Sequence, residues 1–147
     1  MIEHAHWNWR NKLDRVAAGR LRLVAVECEG DMQGVMAVDR VPRPASLSAG
    51  SAVYIDYVEA VPWNLRSASA PRFMGIGTAL LVAAIRLSCD EGHEGRIGLH
   101  SLPQAEPFYL RCGLTRVGVD HAYYELPYYE CTAQRAAEWL QELGGAS

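Results

Sequence analysis

The sequence predicts a mixed α/β (α+β) fold, a mostly antiparallel sheet flanked by helices. Two observations carry this reading. Three runs rich in apolar, β-branched and aromatic residues come early, Arg20–Cys28, Gln33–Val41 and Val53–Val61, each bounded by turn-forming residues. The period then changes. Leu80, Leu81, Ala84, Ile85 and Ser88 recur at helical spacing within Gly77–Glu91, and Gly92 supplies a stop. At 147 residues the chain, 1–147, reads as one domain, large enough to bury a core without cross-links.

The first two runs flank Glu29-Gly30-Asp31-Met32, a hairpin turn, and so read as two antiparallel strands. Pro42–Gly50 is a loop by its Pro, Ser and Gly content, and Asn64–Pro71 is a second, small and polar. After the central helix come a short strand, Arg96–Ser101, and a short helix, Gln104–Cys112, ended by Gly113. Arg116–Val119 and Ala122–Leu126 read as a closing strand pair. Thr132 is placed to cap a last helix, Ala133–Leu143, whose apolar positions are Ala136, Ala137, Trp139 and Leu140.

Composition excludes several classes. Fourteen Lys and Arg against 17 Asp and Glu give a formal charge of -3, so no basic footprint points to a nucleic-acid partner. No apolar run is long enough to span a membrane. The N-terminal residues Met1–Trp7 lack a basic start followed by an apolar stretch, so no secretory signal is read there. Cys28, Cys89, Cys112 and Cys131 form no Cys-x-x-Cys pair. That argues against a metal cluster or a disulfide framework and for a reducing, cytoplasmic setting.

The richest segment joins the third strand to its helix: Arg72-Phe73-Met74-Gly75-Ile76-Gly77-Thr78. Glycine lets a backbone approach a ligand closely. The first amides of a helix have no partner within it, and with the helix dipole they suit an anion. The expectation is a phosphate or pyrophosphate held by backbone amides, with Arg72 near its charge. A P-loop requires a Lys after the last glycine, which is absent. A dinucleotide fingerprint requires a third glycine where Leu80 stands.

Arg72-x-x-Gly75-x-Gly77 resembles the acetyl-CoA pyrophosphate motif of the GNAT superfamily of N-acetyltransferases. The resemblance extends to Tyr57-Val58-Glu59-Ala60-Val61-Pro62, similar to the family's fourth strand, and to Gly98-Leu99-His100-Ser101, similar to its fifth. Ala105-Glu106-Pro107-Phe108-Tyr109-Leu110-Arg111-Cys112-Gly113-Leu114 is similar to the family's Ala-x-x-Phe-Tyr-x-x-x-Gly-Phe segment. The match runs from about Leu21 to Leu126.

The resemblance implies a cytoplasmic N-acetyltransferase that moves an acetyl group from acetyl-CoA directly to a primary amine, carried by a small molecule or a peptide. It implies that the fourth and fifth strands splay, with the pantetheine arm pairing near Ala60 and Val61. It makes Tyr109 the acid that protonates the leaving thiolate. The base slots of the fourth strand fall on Asp56 and Tyr54, of which the acidic Asp56 is the candidate. Glu59 on the same strand and His100 on the fifth remain open beside it, because a mostly protonated amine must lose a proton before it attacks.

The sequence also departs from the family pattern. Leu114 replaces the Phe, and Leu102 stands where an Asn often contacts the cofactor. Only about 20 residues precede the first clear strand, short for the strand and two helices with which the family begins. That shortened N-terminal region suggests that Trp7-Asn8-Trp9, the tyrosines at 123, 124, 128 and 129, or a second subunit of a homodimer completes the acceptor wall. It also keeps open a catalytically silent CoA-binding or scaffold module. The tyrosine-rich tail, Ala122–Glu130, reads more readily as packed strand than as acceptor pocket.

Overall fold

The computed structural model describes residues 19–28, 31–60 and 70–146. Its strands are β1 (Leu21–Cys28), β2 (Asp31–Asp39), β3 (Arg43–Pro44), β4 (Ser51–Ala60), β5 (Ile97–His100), β6 (Thr115–Asp120) and β7 (Leu126–Cys131). Its helices, among the described residues, are α1 (Ala70–Asp90), α2 (Glu106–Arg111) and α3 (Ala133–Ala146), with a 3-10 turn at Pro103–Ala105. The strand order is β1-β2-β4-β5-β7-β6, with β3 added on β4. Every pairing given by residue is antiparallel except β4 with β5. The mixed, mostly antiparallel sheet is thus as the sequence predicts.

Contacts divide the chain into two compact units, one from Met1–Val41 and Asp56–Ala83, the other from Pro42–Ile55 and Ala84–Ser147. In the first, β1 and β2 form a hairpin in register from Leu21↔Asp39 to Cys28↔Asp31, with an irregularity between Val26 and Glu27. Leu21, Met36, Ala37 and Val38 are buried. Arg20 reaches Asp39 at 3.5 Å, and the Val41 amide donates to Asp39 Oδ1 at 2.9 Å. α1 opens with Ala70-Pro71; proline fits the first helical turn, where its missing N–H has no partner to lose.

In the second unit β4 pairs in parallel with β5 at Val53↔Ile97, Tyr54↔Gly98 and Ile55↔Leu99. Ala52, Val53, Tyr54 and Ile55 are all buried, as are Ile97 and Leu99. Such continuous burial belongs to strands covered on both faces. β7 lies between β5 and β6 and is buried from Pro127 to Cys131. Ala84, Ile85 and Ser88 give α1 a buried stripe at helical spacing, and Ser88 donates to the Arg96 carbonyl at 2.7 Å. The Arg135 amide donates to Thr132 Oγ1 at 3.1 Å, so Thr132 caps α3 as expected.

Three boundaries differ from the sequence reading. α1 begins at Ala70, seven residues before Gly77, so both glycines lie inside the helix. β3 occupies Arg43–Pro44 within the expected loop. The last strand is Leu126–Cys131, not Ala122–Leu126. Residues 121–125 instead form a turn, because Tyr124 and Glu125 adopt φ of 54° and 57°, which no strand accommodates. Trp7-Asn8-Trp9, Val61 and Asn64 lie outside the described residues. No described helix is long and apolar enough to cross a membrane. Cys89 and Cys131 are free thiols.

Candidate active site

The helix start is the first site element. Gly75 is exposed, and a Cβ built on it meets nothing within 4 Å. Gly77 and Thr78 are half-buried. The helical ladder engages amides from the end of the first turn onward, so the free donors of this terminus precede Gly75. Gly75 therefore offers a bare helix surface rather than a turn of free amides. Beside this in the chain, β4 runs on to Ala60 after its pairing with β5 has stopped at Ile55↔Leu99.

On that continuation Asp56, Tyr57 and Glu59 are half-buried. Tyr57 and Glu59 share a face by strand alternation, and the Tyr57 hydroxyl donates to Glu59 Oε1. Burial raises the Tyr57 pKa, and the Glu59 carboxylate raises it further. Glu59 thus already holds a proton donor.

Tyr109 sits in α2, 8% exposed. Its ring meets Phe108 at 5.3 Å and Tyr129 at 6.0 Å between centroids. Burial, then the nearby Cys112, pushes its pKa up to about 12, so it is a fully protonated donor at neutral pH. Both ends of the short helix are pinned. At its start Glu106 Oε1 accepts from the Tyr129 hydroxyl at 2.6 Å and from Arg116 Nε at 3.0 Å. Those two bonds, the Tyr129 one foremost, hold the Glu106 pKa below the usual carboxylate range. At its end Arg135 Nε donates to the Cys112 carbonyl at 3.1 Å, and Gly113 at φ 91° makes the reversal that a side chain would strain.

The best-connected cluster surrounds His100, whose side chain is 3% exposed. The Tyr54 hydroxyl lies 2.7 Å from Nδ1, and Asp120 Oδ2 lies 2.9 Å from Nε2. The His100 bond, then the Ala122 amide, hold the Asp120 pKa low. An ionised carboxylate only accepts, so Nε2 carries the hydrogen; in the neutral ring Nδ1 is then bare and accepts from Tyr54. Tyr123 stacks on the imidazole at 4.2 Å and Tyr128 tilts against it at 5.0 Å. The Arg43 guanidinium lies 4.0 Å from the Tyr54 ring centroid and 5.4 Å from that of Tyr128. Buried Glu130 accepts from the Tyr128 hydroxyl at 2.9 Å and from the amides of Ser46 and Leu47 at 2.8 and 3.1 Å. Arg43, Asp120 and Tyr128 also line an open pocket of about 330 Å³.

Of the residues singled out by sequence, His100 and Tyr109 fall in the second unit, and Asp56, Glu59, Gly75, Gly77 and Thr78 in the first. Arg72, Phe73, Met74 and Ile76 lie on the described backbone of α1, and Ala60 ends β4. Sequence reasoning missed Asp120, Arg43 and Glu130. Only sheet register brings these to His100 and Tyr128, so no local pattern marks them. Among the described residues no group of three His, Cys, Asp or Glu is arranged to hold a metal ion.

The fold defined by this sheet order and these helices is that of the GNAT N-acetyltransferases. The chain is similar to a bacterial toxin (TM-score 0.67, 13% identity, covering 87% of this chain and 76% of that one). It is also similar to a putative GNAT-family acetyltransferase from Desulfovibrio desulfuricans (TM-score 0.58, 20% identity, 84% and 76% covered). A third is a mutant AtaT toxin bound to the C-terminus of the antitoxin AtaR and acetyl-CoA (TM-score 0.62, 12% identity, 87% and 78% covered). No protein-family model and no curated protein sequence matches the chain.

These likenesses correct one expectation. The reading of no nucleic-acid partner does not stand, because another similar structure is a KacTA–DNA complex (TM-score 0.60, 13% identity, 83% and 74% covered). The physical reason is that a formal charge of -3 averages over the whole chain. Such an average describes neither a local surface nor what a second protein brings to an assembly.

Proposed function

We propose that the chain is an N-acetyltransferase that moves the acetyl group of acetyl-CoA to a primary amine. The observation that carries this reading is the short parallel pairing of β4 with β5 within a GNAT fold. Three residues pair, and β4 then runs on to Ala60 with backbone to offer a pantetheine arm. The bare surface at Gly75 suits a ligand that must lie close to the backbone. Ala60, Val61 and the segment Arg72–Thr78 are the cosubstrate-binding residues of this reading. The bound acetyl-CoA of the AtaT complex supports the choice of cosubstrate.

Chemically, acetyl-CoA supplies a thioester carbonyl and a thiolate leaving group. Tyr109 holds its proton at neutral pH and gives it to that thiolate. Asp56, Glu59 and His100 are the sequence candidates for removing the amine's proton, directly or through a neighbouring group.

The test is CoA release from acetyl-CoA with a panel of amines: a polyamine, a peptide with a free N-terminus and a lysine-containing peptide. Turnover with one of them is expected, and Tyr109→Phe is expected to lower kcat more than about tenfold. An unchanged rate removes Tyr109 from the acid role. Tight acetyl-CoA binding without turnover on any amine replaces the enzyme by a CoA-binding module.

A further inference from the structure

Both ring nitrogens of His100 are occupied, and its side chain is 3% exposed. It therefore has no lone pair to offer an amine directly. Its described hydrogen bonds connect the ring to Tyr54 and to Asp120. Glu59 is engaged by the Tyr57 hydroxyl. Tyr54 stands in the next-to-last register of the β4–β5 pairing, Tyr54↔Gly98, just before that pairing stops.

The order Tyr54–His100–Asp120 has the logic of a hydroxyl backed by a base that a carboxylate orients. Described groups that face it from neighbouring strands and turns fit that logic. Arg43 on β3 lies over the Tyr54 ring, where its charge favours electron density gathering on the phenol oxygen. Tyr123 stacks on the imidazole and Tyr128 flanks it, its own hydroxyl turned to Glu130.

We propose that Tyr54 is the residue that takes the amine's proton, with His100 as its proton store and Asp120 as the positioning residue. This rests on the acetyl-transfer reading and names the base within it. As the amine nitrogen bonds to the thioester carbonyl carbon, its N–H hydrogen passes to Tyr54 Oη. The original Tyr54 hydrogen passes to His100 Nδ1, leaving an imidazolium held against the Asp120 carboxylate. The C–S bond breaks with its electron pair on sulfur, and Tyr109 supplies the thiol proton. His100 Nδ1 then returns the stored proton to Tyr54 Oη as Tyr54 releases the amine-derived hydrogen to water, which leaves Nε2–H on Asp120 as before, and water restores Tyr109.

The experiment combines kinetics with nitrogen NMR of the imidazole. In the wild-type protein His100 is expected with hydrogen on Nε2 and a bare Nδ1; hydrogen on Nδ1 alone overturns the relay. Tyr54→Phe keeps the ring and removes one oxygen. It is expected to lower kcat about a hundredfold with KM for acetyl-CoA unchanged. Asp120→Asn removes the anion beside the imidazole, so the rising limb of the kcat–pH profile is expected at more acidic pH with a lower plateau. Wild-type turnover with an unaffected Tyr54→Phe overturns the relay alone. Absence of wild-type turnover on every amine overturns the acetyl-transfer reading, and the relay with it.

Discussion

Gly98 and Gly75 mark two regions built for opposite purposes. A Cβ on Gly98 falls 2.1 Å from the Tyr128 hydroxyl oxygen, so the glycine is the space in which that ring lies. A Cβ on Gly75 meets nothing. Around Gly98 each polar group has a partner: Tyr128 with Glu130, Glu130 with two backbone amides, His100 with Tyr54 and Asp120. Such a network fixes one arrangement, because leaving a buried polar group unpaired is expensive. Around Gly75 the helix carries a residue of poor helix propensity and gets no packing in return. A stability deficit without a structural return is what the cosubstrate surface proposed above would leave behind.

The sharpest way to break this contrast is Gly98→Ala. One methyl group has to displace the Tyr128 ring, and with it the Glu130 bond and the face of His100. Overpacking of this kind costs about 1–3 kcal/mol, and the expected result is a loss near the upper end in a urea melt. A loss below ~0.5 kcal/mol means that Tyr128 moves aside freely, and the tight half of the comparison fails.

Sequence and structure agree where the signal is local. The stripe of Leu80, Leu81, Ala84, Ile85 and Ser88 is legible as a helix because its period lies within one element. The short α2 and its reversal at Gly113 are legible because their residues are close in sequence. The start of α1 is not, since Pro71 among small residues reads as loop although proline suits a first turn. In the tail the strand lies later than Ala122–Leu126, and Pro127 is the second residue of β7, near the strand end where a missing N–H is tolerated. The partners of His100 are illegible in principle. Asp120 meets it only because β7 pairs with both β5 and β6, His100↔Tyr128 and Gly118↔Tyr128. Glu130 reaches Ser46 and Leu47 across 84 and 83 positions of sequence.

A middle-sized effect tests whether the His100–Asp120 pair contributes to the rigidity of its region. The folded pKa of Asp120 is lowered, chiefly by His100. A carboxylate lowered on folding stabilises above its unfolded pKa, near ~4, and that contribution is lost as pH falls through the folded value. Asp120→Asn is therefore expected to melt below wild type at pH 7, with the gap closing as pH drops below about 4. A gap that is constant from pH 7 to pH 3 means that the ionised pair contributes nothing to folding, and the cluster is held by its aromatic packing alone.

The smallest effect is the most diagnostic for the other region. Gly75→Ala places its methyl in open space on a helix. Removing glycine from a helix interior is worth about 0.5–1 kcal/mol of added stability, so the variant is expected to melt above wild type. If the bare surface serves a ligand, the same methyl stands in its approach. Calorimetric titration with acetyl-CoA is then expected to give a weaker dissociation constant in the more stable protein. The two measurements move in opposite senses only when the glycine is kept for binding. A variant that is more stable and binds acetyl-CoA as wild type does leaves Gly75 without a ligand role. The cosubstrate surface then has to be sought in the free amides that precede it, at the first turn of α1.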